Sequence, residues 1–359
     1  MARTMQRQYG WIGLWVGLAL VGFLGCGPKP SPEVAAPAPT AAATPAPAPA
    51  PAPPPVPTKL RLVTGIWAPY ADAVGKPRFA TDLVERALER SGIQVESTLV
   101  DHPTVLPAIT SGEFDGTEAV WKTPEREKEL LFSDPFLENR LVLLARVGTD
   151  VSADQLADLQ GKKVGLVEDY AYGPELDAAK GVTFVRGTGE PANLEALLKK
   201  ELDYILLDEL TVYHVFTTQK AKAEALLVSG KNALITRGLH FALKRGLPGA
   251  EEVMKRFNAA IRELARDGTY NTVLSVGWIA TDTDQDGHTE LVASSKQVGT
   301  APPERHYRLY GSENKSGPKF VVEGRAYENW QSVPEQYKVP PKEGLDRFQP
   351  AAGLVLMEF

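Results

Sequence analysis

The stretch from Trp121 to Phe136 reads WKTPEREKELLFSDPF, and within it Thr123-Pro124-Glu125-Arg126 has the makings of the first turn of a helix. Arginine is an odd residue there. A first turn already carries uncompensated backbone N–H groups and the positive end of the peptide dipoles, so cations are favoured at the other end. A planar guanidinium offers paired donors, and the free N–H groups of the same turn can add to it. That combination grips a carboxylate. Arg126 is therefore a residue that awaits a negative group, and the turn alone does not say whose. The plain alternative is a surface arginine paired to Glu125, Glu127 or Glu129.

A second constellation lies in TDTDQDGHTELV, where Asp282, Asp284 and Asp286 alternate, Gly287 permits a sharp turn, and Glu290 follows. Their carboxylates, with a carbonyl from His288, would make most of a Ca2+ shell. An EF-hand needs an acidic twelfth residue, and that position is Ala293. The spacing to Glu290 is closer to the D-x-D-x-D-G-x-x-D/E loops of calcium-binding surface repeats. A solvated acidic turn is the alternative. Reactive chemistry is otherwise sparse. The five histidines are scattered, no Ser-His-Asp or metal-hydrolase pattern is present, and Cys26 is the only cysteine. No catalytic residue and no required cofactor are expected, with a structural Ca2+ as the one ion in view.

The elements that must position these groups come next. The chain has 359 residues and 43% apolar content, enough for two ordinary domains. A net charge of −6 gives no reason to expect nucleic acid. Arg3 and Arg7 precede the apolar run from Trp11 to Gly25, which is too short for a comfortable membrane span. The run ends in FLGC, which resembles a bacterial lipobox. There the cysteine is lipidated and becomes the first residue of the mature chain. Residues 1–25 are thus expected to be a lipoprotein signal peptide, with Cys26 the lipidated residue. Residues 26–57 continue as a Pro/Ala-rich stalk, about thirty residues that could extend on the order of 90 Å as polyproline II.

From Lys59 onward strands alternate with helices. LRLVTGI reads as a buried strand, and FATDLVERALERSG places Leu83, Val84, Ala87 and Leu88 on one helical face with Gly92 at the stop. VESTLVD, LVLLAR, KKVGLV, VTFV, DYILLD and LHFALKR read as strands. TVLPAITSG, PELDAA, PANLEALLKK, ELTVYHVF and GAEEVMKRFNAAIRELARDG read as helices. Ser152 with Gln155 reads as a capping box opening SADQLADL. The alternation predicts an α/β fold with mostly parallel sheets, in which small ligands bind at the carboxyl ends of strands or between lobes. YRLYG, KFVVEG and GLVLMEF are candidate strands in a Pro-rich tail.

Six stretches, in order, resemble one family, the bacterial extracellular solute-binding proteins of family 3, which receive polar amino acids for ABC transporters. They are LVTGIWAPY, VLPAITSGEFDGTEA, TPER…FSDPF, DLQGKKVGLVEDYAYG, DYILLD and ELARDGTYNTVLSVGW, covering about Leu60 to Trp278. The resemblance implies a two-lobe periplasmic-binding-protein type II fold with a two-strand hinge, plus a C-terminal extension of unknown structure. Lobe 1 would take 58–146 and 238–280, lobe 2 would take 147–237, and 281–359 would hold the calcium loop and the extension. It implies that Arg126 grips the ligand α-carboxylate and that Asp208, from the other lobe, holds the α-ammonium, unless Asp208 serves only as an N-cap. Trp67 and His102 stand where relatives have aromatic walls. Two departures follow. Trp121 replaces a hydroxyl in a Gly-x-Thr position, and Asp169-Tyr170-Ala171 replaces a Gly-Thr-Gly turn, with Tyr170 at a ligand-contacting place. The pocket should be more aromatic than usual, and an aromatic or cationic ligand would suit it. The expected protein is a monomeric, lipid-anchored receptor on the periplasmic or outer-surface side of a bacterial envelope. It would deliver a small zwitterion to an ABC permease. A dehydratase-like enzyme using Glu168 or Asp169, or a sensory or structural envelope lipoprotein, are the alternatives.

Overall fold

The computed structural model describes residues 55–293, 298–303, 306–309 and 319–340. The signal peptide, Cys26, most of the stalk and GLVLMEF lie outside the described residues. Among the described residues no helix is long and apolar enough to cross a membrane.

The chain opens with β1 (Lys59–Gly65), α1 (Phe79–Arg90), β2 (Gln94–Val100), α2 (Val105–Ser111), β3 (Gly116–Trp121) and β4 (Leu130–Phe132). α1 buries Leu83, Val84, Ala87 and Leu88 and stops where Gly92 takes φ +77°, a left-handed conformation that glycine adopts without strain. The long strand β5 (Leu137–Arg146) then crosses into a second lobe. That lobe holds β6 (Lys163–Val167), α3 (Glu175–Ala178), β7 (Thr183–Gly187), α4 (Glu190–Leu198), β8 (Tyr204–Asp208), α5 (Glu209–Thr218), α6 (Lys220–Leu226) and β9 (Leu227–Ser229). β10 (Ile235–Lys244) returns, and α7 (Ala250–Arg266) and α8 (Thr269–Leu274) pack on the first lobe, contacting α1.

One ten-stranded sheet runs through both lobes in the order β2-β1-β3-β10-β5-β8-β6-β7, with β4 on β10 and β9 on β5. β1 pairs with β2 and β3, and β6 with β7 and β8, all in parallel. The lobes join where β10 and β5 run antiparallel, from Ile235 opposite Leu141 to Leu239 opposite Leu137. These are the two expected crossing strands. The parallel β6 reads as a nearly unbroken apolar run, buried from Val164 to Val167, whereas β1 begins with exposed Lys59 and Arg61 and is buried from Leu62 onward.

Three local expectations give way. Thr123 to Arg126 does not open an α-helix; only a 3-10 turn, Arg126–Lys128, forms, with the Thr123 hydroxyl accepting from Arg126 N–H at 3.2 Å. The capping box sits three residues later than Ser152. Gln155 and Asp158 cap the 3-10 turn Leu156–Leu159 reciprocally, while the Ser152 N–H is drawn to Asp150. Finally, Trp278 to Ala280 does not close lobe 1. β11 (Trp278–Thr281) pairs instead with β12 (Glu290–Ala293) and belongs, with β13 (Tyr307–Arg308), β14 (Lys319–Val322) and β15 (Arg325–Tyr327), to a separate five-stranded sheet. This sheet has its own core around Leu291, Phe320, Val322 and Val333.

Candidate functional site

A cavity of about 310 Å³ lies against the carboxyl ends of β1 and β3, walled by α2 and covered by the second-lobe segment Asp169-Tyr170-Ala171. It brings together five of the six expected ligand residues: Trp67, His102, Trp121, Arg126 and Tyr170. Local structure explains each placement. Trp67 begins a tight turn in which its N–H and carbonyl bond Ala71 reciprocally. His102 opens a 3-10 turn after β2 and rests against Gly65, where any Cβ would come within 2.9 Å of the imidazole. Trp121 ends β3. Tyr170 follows Asp169, which holds a left-handed φ of +64° that aims the next side chain back toward the first lobe.

The rings form one cluster across the cleft. Tyr170 meets Trp67 at 5.6 Å, Trp121 at 5.6 Å and His102 at 5.5 Å between centroids, and Trp67 meets Trp121 edge-on at 5.8 Å. Such tilted and edge contacts are the favoured aromatic geometries. Glu190, the first residue of α4, accepts from the Trp67 indole N–H at 3.3 Å, so the second lobe also holds Trp67 from behind. Burial pushes the Glu190 carboxyl up to about 8, against the lowering effect of that bond.

Arg126 is half-buried at the cavity wall. Its guanidinium donates to the Trp121 carbonyl at 2.8 Å, and among the described residues it makes no ion pair. Glu127 is taken by Lys122 at 2.7 Å. Burial alone lowers the Arg126 pKa. Burial, and next the Arg126 charge beside it, lower that of His102, against the raising effect of Asp169. Thr117, on β3, was not singled out from the sequence. Thr117 lines the cavity and is fully buried, and its hydroxyl has no hydrogen-bond partner among the described residues. The period-2 pattern of a strand, with Trp121 as reference, is the signal that would have found it.

Asp208 is placed elsewhere. It is buried, caps α5 through the Leu210 N–H at 2.8 Å, and accepts from Asn139 Nδ2 at 3.0 Å and from the Tyr70 hydroxyl. It does not line the cavity. The N-cap alternative thus describes its surroundings, and the expected ammonium contact does not. Burial raises its pKa to about 6 despite three donors. Trp121 joins the same chain of bonds, its indole N–H donating to Asn139 Oδ1 at 2.7 Å. Tyr70 and Asn139 were not anticipated; a polar residue inside the apolar crossing strand was the available signal for Asn139. Glu168 and Asp169 are exposed, Asp169 at the cavity rim.

The acidic loop connects β11 to β12. One oxygen from each of Asp282, Asp284, Asp286 and Glu290 falls within 4.8 Å of the others. Asp282 accepts from the N–H groups of Gln285 and Gly287, Glu290 from Thr283 N–H, and Lys319 Nζ reaches Asp286 at 2.7 Å. The donor set is all hard oxygen, which suits Ca2+, and Lys319 already supplies one competing positive charge.

Several proteins resemble this one. The L-cystine-binding protein TcyJ of Escherichia coli (strain K12) is 26% identical over 206 residues, covering 57% of this chain and 74% of that protein. The putative ABC transporter arginine-binding protein 2 of the same strain is 30% identical over 172 residues, covering 46% and 68%. Among solved structures, an ancestral arginine-binding protein bound to arginine aligns at 26% identity and a TM-score of 0.50, over 60% of this chain and 96% of that one. The ligand-binding core of GluR0 in complex with L-glutamate, at 18% identity and a TM-score of 0.51, shares the fold. The fold is the two-lobe periplasmic-binding-protein type II architecture, and residues 68–280 match the family model. With that match spanning more than half of its length, the chain belongs to the bacterial extracellular solute-binding proteins of family 3.

Proposed function

We propose that this chain is a lipid-anchored receptor that closes two lobes over a small carboxylate-bearing solute and hands it to an ABC importer. The relatives' names, cystine-binding and arginine-binding, set the size class of the solute. The observation that carries the reading is Arg126. A half-buried guanidinium without a counter-charge among the described residues, at the wall of an aromatic-lined cavity, is costly unless an incoming anion completes it. Closure of the lobes about β5 and β10 then follows from contacts made on both sides, and its extent is limited by how much better the closed form holds the ligand. The anchor rests on the lipobox-like FLGC before Cys26, with the Pro/Ala stretch as its stalk. A Ca2+ in the Asp282–Glu290 loop would stiffen the β11–β12 connection.

Native mass spectrometry of the full chain purified from its host, followed by a thermal-shift screen of small carboxylates, tests the reading. A bound or stabilising carboxylate supports it. A chain that carries and accepts no small molecule would sink it and favour a sensory or structural role. The ring contacts that Tyr170 makes across the cleft and the engagement of Asp208 by Tyr70 and Asn139 are the observations on the side of that second reading. Incorporation of labelled palmitate that Cys26→Ala abolishes checks the anchor.

A further inference from the structure

Among the described residues, the polar side chains along the cavity's interior wall carry a positive charge and no carboxylate. Arg126 brings the charge, while Thr117, a buried hydroxyl without a partner among the described residues, and His102 can each donate or accept. No carboxylate faces the interior wall among the described residues. Asp208 is closed off by Tyr70, Asn139 and the Leu210 N–H, which together engage both of its oxygens. Glu190 faces the Trp67 indole. Glu118, on β3 beside Thr117, is buried with Ser97 as its partner and is absent from the cavity wall. Asp169 reaches the cavity only at its exposed rim, where water competes for it. The remaining wall is apolar, with Val105, Leu106, Ile109 and Leu130 opposite the rings.

Resting on the solute-binding reading above, we infer that the preferred ligand is an apolar or aromatic carboxylate lacking an α-ammonium group, such as a 2-oxo acid or an aryl acetate. Its carboxylate pairs with Arg126 and Thr117, and its hydrocarbon part fills the space between α2 and the rings. An α-amino acid entering the same way would bury an ammonium with no carboxylate to pair its charge, among the described residues. A site built for one polar pattern discriminates strongly against a ligand that leaves a charged group unpaired.

Calorimetric titration of the full chain with three matched pairs tests this: phenylpyruvate against L-phenylalanine, 4-methyl-2-oxopentanoate against L-leucine, and indole-3-acetate against L-tryptophan. At least one acid without the amino group should bind tenfold or more tightly than its partner, and Arg126→Ala should remove that binding. Equal or tighter binding of the amino acid in every pair overturns this inference and leaves the receptor reading standing. Binding by neither member of any pair overturns this inference, and the receptor reading is then decided by the carboxylate screen described above.

Discussion

The Tyr70 hydroxyl, on a first-lobe turn, donates a hydrogen bond to the carboxylate of Asp208 at the end of a second-lobe strand. The bond is buried and spans the two lobes. It satisfies inside the protein a carboxylate that the family resemblance assigns to the ligand. Removing the hydroxyl leaves a buried, partly unpaired acid, which costs about 1–3 kcal/mol. Tyr70→Phe is therefore expected to lower the melting temperature, read by differential scanning fluorimetry. An unchanged melting temperature would show that the bond contributes nothing to the closed form.

Arg126 has the opposite signature. Its charge is half-buried and unpaired, so Arg126→Ala should leave the free protein as stable as before, or slightly more so. Ligand-induced stabilisation should vanish. Charged hydrogen bonds contribute ~1.5–3 kcal/mol, which corresponds to affinity losses on the order of 10- to 100-fold. A variant that keeps the parent's ligand-induced melting shift places the site elsewhere.

Tyr170 is the second-lobe ring that meets Trp67, His102 and Trp121 together, with Glu190 bonded to Trp67 and Tyr172 against Trp121 beside it. Tyr170→Ala should cost about 2 kcal/mol or more in stability. It should also shift tryptophan emission to longer wavelength as water reaches Trp67 and Trp121. Emission that does not move would mean that the rings are shielded without Tyr170.

Stability should fall as pH rises through neutrality, and Glu118 is a chief cause. Its carboxyl is fully buried, with Ser97 as a partner and one oxygen unbonded among the described residues. Burial, the largest influence, raises its pKa from 4.5 to about 7. A carboxyl whose pKa is higher folded than unfolded binds its proton more tightly in the folded state. Its contribution is complete below the unfolded value and is lost as pH passes through about 7, on the order of 3 kcal/mol at most. Asp208, raised to about 6, and Glu190, raised to about 8, act in the same direction. Melting temperatures taken from pH 5 to 9 should decline, and Glu118→Gln should flatten the curve. A profile that rises over this range contradicts the assignment.

Calcium should stabilise the chain if the Asp282–Glu290 loop binds it. At a hundredfold excess over the dissociation constant the gain is about 2.7 kcal/mol. Added Ca2+ should raise the melting temperature, a chelator should reverse it, and Asp284→Asn should abolish it. No shift at millimolar Ca2+ leaves the cluster a solvated turn held by Lys319 and backbone N–H groups.

Much of the architecture was legible because it is periodic. The apolar runs of β1, β6 and β8 and the helical spacing of α1 and α7 are local patterns, and the two crossing strands follow from them. Arg126, Trp67 and Tyr170 were legible because each sits in a stretch quoted for the family resemblance, and Trp121 and His102 because they stand beside such stretches. What escaped depends on contacts far apart in sequence. Tyr70 meets Asp208 across 138 residues, and Trp67 meets Glu190 across 123, with nothing in either neighbourhood to announce the partner. The strands of the second sheet are two to four residues long, too short for alternation to show, so only Tyr307–Arg308 and Lys319–Val322 fall within stretches read as strands. The Ser152 box failed for a nearer reason, since Asp150 competes for the same backbone donor.

In the second sheet, Tyr307 donates its hydroxyl to the Glu138 carbonyl, within the part of β5 that pairs with β10. The sheet itself is fastened to the first lobe, where Asn271 of α8 donates to the Val292 carbonyl of β12. Any swing of one lobe against the other must therefore carry this bond along or break it. The tail is geared to the pivot: force applied to it reaches the jaws, and opening of the jaws tugs on the tail.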